Sequence, residues 1–372
     1  MNQSRDEFYL KKCFELAVKG KGLVSPNPMV GSVVVKGNRV VGYGWHRAFG
    51  LAHAEVEALK MAGTKAKNAT LYVNLEPCCH YGKTPPCTDA IIQAGIKKVV
   101  FSTIDPNPAV NGKSIEILKQ NGIEVRYGLC EKESHQLNES YFTFVKKKRP
   151  FISLKWAMSI DGKIADACGR SRWITSDDAR QFARQLRFEY DAIIVGSNTI
   201  VYDNPYLDFC APCGIRKSLV ERKKFYKIIL DTNLKVVPES NVFLNKASNV
   251  IIFTGRDTSI NTKYHENVEI IPVDKDQKGL LDLSQILNCL YEKGIAKLFV
   301  EGGTKILTSF YHHKIFDLIY TFIGCRIIGG SADYPPLKGN IISPDTQSDI
   351  ILKDVIRFSN DVLLIIKKCS QE

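Results

Sequence analysis

A chain of 372 residues with 44% hydrophobic and 24% charged residues is a folded protein, too long for one ordinary hydrophobic core, and two domains are expected. No run of about 18 apolar residues occurs, and the first twenty residues are charged and amphipathic, so neither a membrane span nor a secretory signal is read and the cytoplasm is expected. Most of the +12 formal charge falls in residues 1–149, with 22 Lys+Arg against 13 Asp+Glu, but no arginine-rich or aromatic-interleaved basic segment goes with it; a solvated Lys-rich surface is expected, without a nucleic-acid partner.

The elements follow in order. Apolar residues recur at helical spacing from Ser4 to Gly20, and "MVGSVVVKGNRVVGYGWH" then alternates as two strands around the turn Lys36-Gly37-Asn38-Arg39. "AHAEVEALKMAG" reads as a helix closed by Gly63 and "ATLYVNLE" as a buried strand. "CTDAIIQAG", "KKVVFSTI", "GKSIEILKQNG" and "IEVRYG" continue as helix, strand, helix and strand. This is an α/β layered domain, and the run "VKKKRP" closes it, which sets domains at 1–147 and 148–372.

The second part restarts with "FISLKWAMSIDGKIA". Strands are expected at "DAIIVGS", "KIILDT", "NVIIFTG", "VEIIPV", "AKLFVEGG", "DLIYTFIG" and "DVLLIIKK", with helices at Asp177–Phe188, Leu283–Lys293 and Thr304–His312. Cys210 to Phe225 is expected to be an exposed loop. Its Cys210-Ala-Pro-Cys213 lacks a second ligand pair and reads as two incidental thiols. Eleven cysteines without regular spacing are not a disulfide framework, so thiols are free to pack or to bind metal.

The chemistry concentrates in "EPCCHYGKTPPC", Glu76 to Cys87. With His53-Ala54-Glu55 at a helix start upstream, it approaches the His-x-Glu, Pro-Cys-x-x-Cys signature of zinc deaminases, in which one His and two Cys bind the metal and the Glu moves protons. Three protein ligands leave a fourth position for water, whose pKa zinc lowers to about 7. Tyr81 stands where the second cysteine belongs, leaving Cys79, His80 and Cys87 as candidates. Adjacent residues at a strand end point to opposite sides, which disfavours Cys79, whereas Cys87 opens a helix whose dipole favours a thiolate. The ligands are therefore read as His53, Cys78 and Cys87, with Cys79 a packed thiol and His80 free to face substrate.

"HAE", "PNPMVGSVVV", "GWH", "EPCCHYGKTPPC" and "DPNPAVNGKS", followed by "SLKWAMSIDGKIA", "WITS", "DNP" and "VEGG", resemble the bifunctional pyrimidine deaminase and reductase family of riboflavin biosynthesis over nearly the whole chain. The resemblance implies a cytidine-deaminase-like αβα domain followed by a dihydrofolate-reductase-like α/β domain, with Zn2+ and NADPH as cofactors. It implies a phosphorylated pyrimidine substrate, His53, Cys78 and Cys87 on zinc, and Glu55 as proton shuttle; Asn27, His46, His80 and Lys83 would surround the pyrimidine and its phosphate. In the second domain Ala157, Trp173, Thr199, Asp203, Thr232, Gly303 and Thr304 would line the cofactor, and Ser171, Arg187, Leu207 and Glu301 would contact substrate. A homo-oligomer is expected. The family pattern has serine at Cys79, often histidine at Glu57, and arginine at Cys210. Arg216 is the nearby cation expected to substitute for that arginine.

Overall fold

The computed structural model describes residues 2–82, 84–246, 248–330, 334–339 and 349–369, and the chain divides into two units. The first comprises residues 1–149 with 215–223, the second 150–214 with 224–372.

In the first unit the order is α1 (Asn2–Ala17), β1 (Gly31–Lys36), β2 (Arg39–Trp45), α2 (Ala54–Ala62), β3 (Thr70–Val73), α3 (Cys87–Gln93), β4 (Lys98–Phe101), α4 (Lys113–Gln120), β5 (Glu124–Tyr127), α5 (Glu131–Leu137) and α6 (Glu139–Lys147). The five strands run β2-β1-β3-β4-β5; β1 is antiparallel to both neighbours, while β3, β4 and β5 are parallel. Alternation splits the buried residues of β1 between two layers. Val34 packs with Ala58 and Leu59 of α2 and Ile91 of α3, whereas Val33 and Val35 pack with Leu10 and Cys13 of α1.

Two glycines of β2 set where α2 begins. A Cβ on Gly42 would meet the Ala58 carbonyl at 2.2 Å, and one on Gly44 would meet the Ala58 nitrogen at 2.7 Å. Only glycine lets the helix backbone lie this close to the strand, and that contact fixes the N-terminus of α2, with His53 as its N-cap and Glu55 in its first turn.

The second unit contains β6 (Phe151–Ser159), α7 (Asp177–Phe188), β7 (Ala192–Gly196) and α8 (Ser197–Asp203). After α9 (Lys217–Val220), which lies in the segment grouped with the first unit, come β8 (Tyr226–Leu230), β9 (Asn249–Gly255), β10 (Val268–Val273), α10 (Leu283–Glu292), β11 (Lys297–Glu301), α11 (Thr304–His312), β12 (Leu318–Gly324), β13 (Ile350–Arg357) and β14 (Asp361–Lys368). Its nine-stranded sheet runs β10-β9-β8-β7-β11-β6-β12-β14-β13, parallel from β10 to β12 and antiparallel at β12-β14-β13. Ile286 and Leu290 of α10 and Leu307 and Phe310 of α11 share one core with Leu154, Ile194 and Leu298 of the sheet; Ala179, Ala183 and Leu186 of α7 pack into another with Phe299 and Phe322. The helix α7 starts where the Ser176 hydroxyl accepts from the Ala179 N–H, and two aspartates follow in its first turn.

Four features differ from the sequence reading. The chain from Cys210 to Phe225 is more than a loop: it includes α9, and residues 215–223 group with the first unit, where Lys223 Nζ donates to the Gly22 carbonyl at 2.8 Å. The helices α5 and α6 fill the stretch before the boundary, and α8 follows β7. The strand β13 is additional. Finally, β3 ends at Val73, so Cys78 and Cys79 lie in an irregular segment and strand alternation is not what separates them.

Candidate metal centre and reductase cavity

In the first unit the ligand atoms of His53, Cys78 and Cys87 all lie within 4.8 Å of one another. His53 Nδ1 is 3.3 Å from Cys87 Sγ and 3.4 Å from Cys78 Sγ. A tetrahedral ion with Zn–S of about 2.3 Å and Zn–N of about 2.1 Å holds sulfur and nitrogen about 3.6 Å apart, so the donor set and its spacing fit zinc. The same distances identify Nδ1 as the ligand atom of His53; Nε2 faces Thr84 Oγ1 at 3.5 Å.

Cys78 accepts the Cys87 backbone N–H at 3.4 Å, and hydrogen bonding from Cys87 together with His53 lowers its pKa. The thiol of Cys87 is raised, first by donating to Cys78 and then by burial. The first N–H of α3 thus points at the Cys78 sulfur and not at that of Cys87. Cys79 faces away, its Sγ 3.7 Å from the Ala109 carbonyl, and burial raises its thiol.

Glu55 is 3% exposed, and its Oε2 has no hydrogen-bond partner. Burial pushes its carboxyl up to about 7, against the attraction of His53. An orphaned buried carboxylate oxygen beside three converging metal donors is where a reacting water or amine belongs. Burial likewise pushes His46 down to about 4, leaving a neutral ring that donates from Nδ1 to the Ala52 carbonyl at 3.1 Å and accepts Asn27 Nδ2 on Nε2 at 3.2 Å. The His46 and His53 rings meet edge to face at 5.3 Å, so Asn27 and His46 border the centre. His80 is half-buried and its Nδ1 lacks a partner; Lys83 lies outside the described residues. Glu57 turns aside to pair with Arg47 at 3.1 Å.

Sequence reasoning missed Glu76. Buried, it accepts from the backbone N–H groups of Asp105, Gly112 and Ser114 at 3.1, 2.9 and 3.2 Å and from Ser114 Oγ at 2.7 Å, tying "DPNPAVNGKS" beside the metal centre. A carboxylate ending an apolar strand was the only signal. Asn74 and Asn138 clamp the backbone of Met29, two residues beyond Asn27.

In the second unit a cavity of ≈ 1770 Å³ is lined by every sequence-derived reductase residue: Ala157, Ser171, Trp173, Arg187, Thr199, Asp203, Leu207, Thr232, Glu301, Gly303 and Thr304. It exceeds the roughly 300–1,000 Å³ usual for one ligand and has room for a dinucleotide beside a substrate. The backbone at Gly303 caps α11, and the space beyond its missing side chain is open to 4 Å, so a phosphate can approach the helix N-terminus.

Glu301 is buried and gripped by Arg187, with Lys155 Nζ 3.5 Å away. Burial alone would raise its carboxyl, but Arg187 and Lys155 hold it down to about 2, so it is a fixed anion. Arg187 also donates to the Asp208 carbonyl at 2.9 Å, and Asp208 accepts the fully buried Lys227 at 2.7 Å. The link from Arg187 through Asp208 to Lys227 was not foreseen. Ser171 Oγ bonds Asp203 at 3.1 Å, and Trp173 is half-exposed with Arg180 over its ring at 4.2 Å. Cys210 lines the cavity and contributes no cation, and Arg216 belongs to the segment grouped with the first unit.

Residues 3–103 match the zinc-binding region of cytidine and deoxycytidylate deaminases, and residues 150–364 match the RibD C-terminal domain. The riboflavin biosynthesis protein RibD of Aquifex aeolicus is 42% identical over 98% of both chains, and that of Bacillus amyloliquefaciens is 40% identical over 88% of this chain and 86% of the other. Among solved structures, Acinetobacter baumannii RibD aligns with a TM-score of 0.89 at 31% identity. A Thermotoga maritima diaminohydroxyphosphoribosylaminopyrimidine deaminase/5-amino-6-(5-phosphoribosylamino)uracil reductase aligns at 0.84 and 37%; each alignment covers 99% of this chain and all of the other. With three metal donors around a buried glutamate in one unit, a two-ligand cavity in the other, and these likenesses along its whole length, the chain belongs to the RibD family of bifunctional deaminase/reductases of riboflavin biosynthesis.

Proposed function

We propose that residues 1–147 deaminate 2,5-diamino-6-(5-phosphoribosylamino)pyrimidin-4(3H)-one hydrolytically and that residues 148–372 then reduce its ribosyl chain to ribityl with NADPH. The Thermotoga maritima relative bears the name of this pair of reactions. The observation that carries the reading is the unpartnered Oε2 of buried Glu55, two residues from His53 at the three-donor cluster. His53, Cys78 and Cys87 hold zinc, which when bound activates water for attack at neutral pH. Glu55 takes the proton from the attacking water and passes it to the departing amine, so that water enters and ammonia leaves. His46, both nitrogens engaged by Ala52 and Asn27 as a neutral ring that does not titrate at working pH, borders the pyrimidine with Asn27 and His80, and Lys83 serves as a further substrate contact.

In the second domain the N-terminus of α11 with Gly303 and Thr304, together with Ala157, Trp173, Thr199, Asp203 and Thr232, orients NADPH, which when bound supplies the hydride. Ser171, Arg187, Leu207 and Glu301 position the ribosyl chain. Glu301 stays ionised and accepts hydroxyl hydrogens; it donates no proton. The substrate is taken to be a free small molecule and not a nucleic acid, the chain a homo-oligomer, and its place the cytoplasm. Incubating zinc-loaded protein with the diaminopyrimidine ribosyl phosphate, with and without NADPH, and weighing the products tests the reading. Loss of one nitrogen without NADPH, followed by gain of two hydrogens with it, is expected; an unchanged substrate mass refutes it.

A further inference from the structure

We propose that Arg184 binds the phosphate of the ribosyl phosphate in the reductase cavity, an inference that rests on the functional reading above. Arg180, Arg184 and Arg187 are spaced i, i+4 and i+7 on α7, which sets them on one face of the helix, and all three line the cavity. Two are already occupied. Arg180 donates to the Thr175 carbonyl and the Asp177 carboxylate and lies over the Trp173 ring; Arg187 donates to Glu301 and to the Asp208 carbonyl. Arg184 is exposed, and its side chain alone of the three has neither a hydrogen bond nor an ion pair among the described residues.

A guanidinium does not shed its proton, so this charge is permanent. Its repulsion adds to burial in lowering Arg180. The Asp208 carboxylate, on the segment beside α7, forms no ion pair with it; its Oδ1 accepts Lys227 Nζ at 2.7 Å and Asn245 Nδ2 at 3.0 Å. An unpaired guanidinium fork facing a cavity is matched by a phosphate, which it can grip with two parallel hydrogen bonds.

Position selects the substrate's phosphate over the cofactor's. Arg184 is the neighbour of Arg187 on the helix face, and its carbonyl accepts the Cys210 N–H at 3.0 Å, so it stands beside the segment that carries Leu207 and Asp208. The cofactor's phosphates have separate donors in the free N–H groups that open α11. Position 210 is joined to Arg184 through the backbone, so an arginine there would start next to Arg184, whereas the Cys210 thiol brings no charge.

The test uses the full chain loaded with zinc, the deaminated ribosyl phosphate, and the same compound after phosphatase treatment. Arg184→Ala should lower kcat/KM for NADPH-dependent reduction of the phosphorylated compound about 10- to 100-fold. It should leave the dephosphorylated compound within about twofold of wild type and NADPH affinity unchanged, and adding Cys210→Arg should restore the preference for phosphate. Equal loss on both compounds, or a loss confined to NADPH binding, overturns the proposal. Titrating the two compounds separates this from the functional reading. If wild type reduces neither, the reading of the reaction fails, and the site is still decided by whether tighter binding of the phosphorylated compound disappears in Arg184→Ala or persists.

Discussion

Arg187, in the last turn of α7, holds Glu301, the final residue of β11, by two parallel hydrogen bonds: Nε to Oε1 at 2.8 Å and Nη2 to Oε2 at 3.0 Å. The two are 114 residues apart in sequence, and the pair joins a helix outside the sheet to a central strand, both residues lining the cavity.

Removing Glu301 leaves a buried guanidinium without its partner. Glu301→Gln should therefore cost about 3–5 kcal/mol at neutral pH. The folded pKa of Glu301 lies at about 2, below its ordinary 4.5, so its contribution is complete above the ordinary value and is lost as pH falls toward the folded one. The gap in melting temperature between wild type and Glu301→Gln should be widest near neutrality and close as the pH drops from about 5 toward 2. A gap that stays constant across that range contradicts the assignment.

The Lys227–Asp208 pair should respond asymmetrically. Lys227 is fully buried, while the Asp208 side chain is 39% exposed and can return to water. Asp208→Ala strands an ammonium in the core and should cost about 3–5 kcal/mol, whereas Lys227→Met strands a carboxylate that solvent reaches and should cost about 1–2. Denaturant unfolding of both variants measures this, and equal losses would show that the pair acts only through packing.

The two glycines after β11 should separate strain from binding. Gly303 has φ −78° and ψ 169°, which other residues adopt, with open space where its side chain would be. Gly303→Val should keep the melting temperature and weaken NADPH binding at least about tenfold, because it fills the approach to the helix N-terminus. Gly302 has φ +127°, and its Cβ would meet Thr199 Oγ1 at 3.0 Å, so Gly302→Ala should lower the melting temperature itself. Unchanged NADPH affinity in folded Gly303→Val would remove this turn from the cofactor site.

Neighbouring thiols should differ sharply in metal content. Cys78→Ser or Cys87→Ser should strip zinc, since each removes a donor, while Cys79→Ser, whose thiol points toward Ala109, should retain it. Zinc retained by Cys87→Ser and lost by Cys79→Ser would reverse the ligand set.

What the sequence made legible is local and chemical. His53, Cys78 and Cys87 could be grouped because zinc accepts few residue types, and their donor atoms do converge. The argument for excluding Cys79 was nevertheless wrong in its geometry: β3 stops at Val73, and what turns Cys79 away is the path of the loop past Ala109. The strand β13 escaped notice because Ile351, Leu352 and Val355 are all exposed on an edge strand, where no buried face imposes alternation. Glu76 and Lys227 were illegible for a different reason. Each is a charge inside an apolar run whose partners lie 15 or more residues away, so only the folded chain shows that it is satisfied.

The most direct test of two chemistries in two domains is Glu55→Gln, assayed for bound zinc, ammonia release and NADPH-dependent reduction of the already deaminated intermediate. The account predicts zinc at the wild-type level, ammonia release lowered by at least about 100-fold, and reduction at the wild-type rate. A folded, zinc-loaded variant that loses both activities equally would contradict it and point to one composite site.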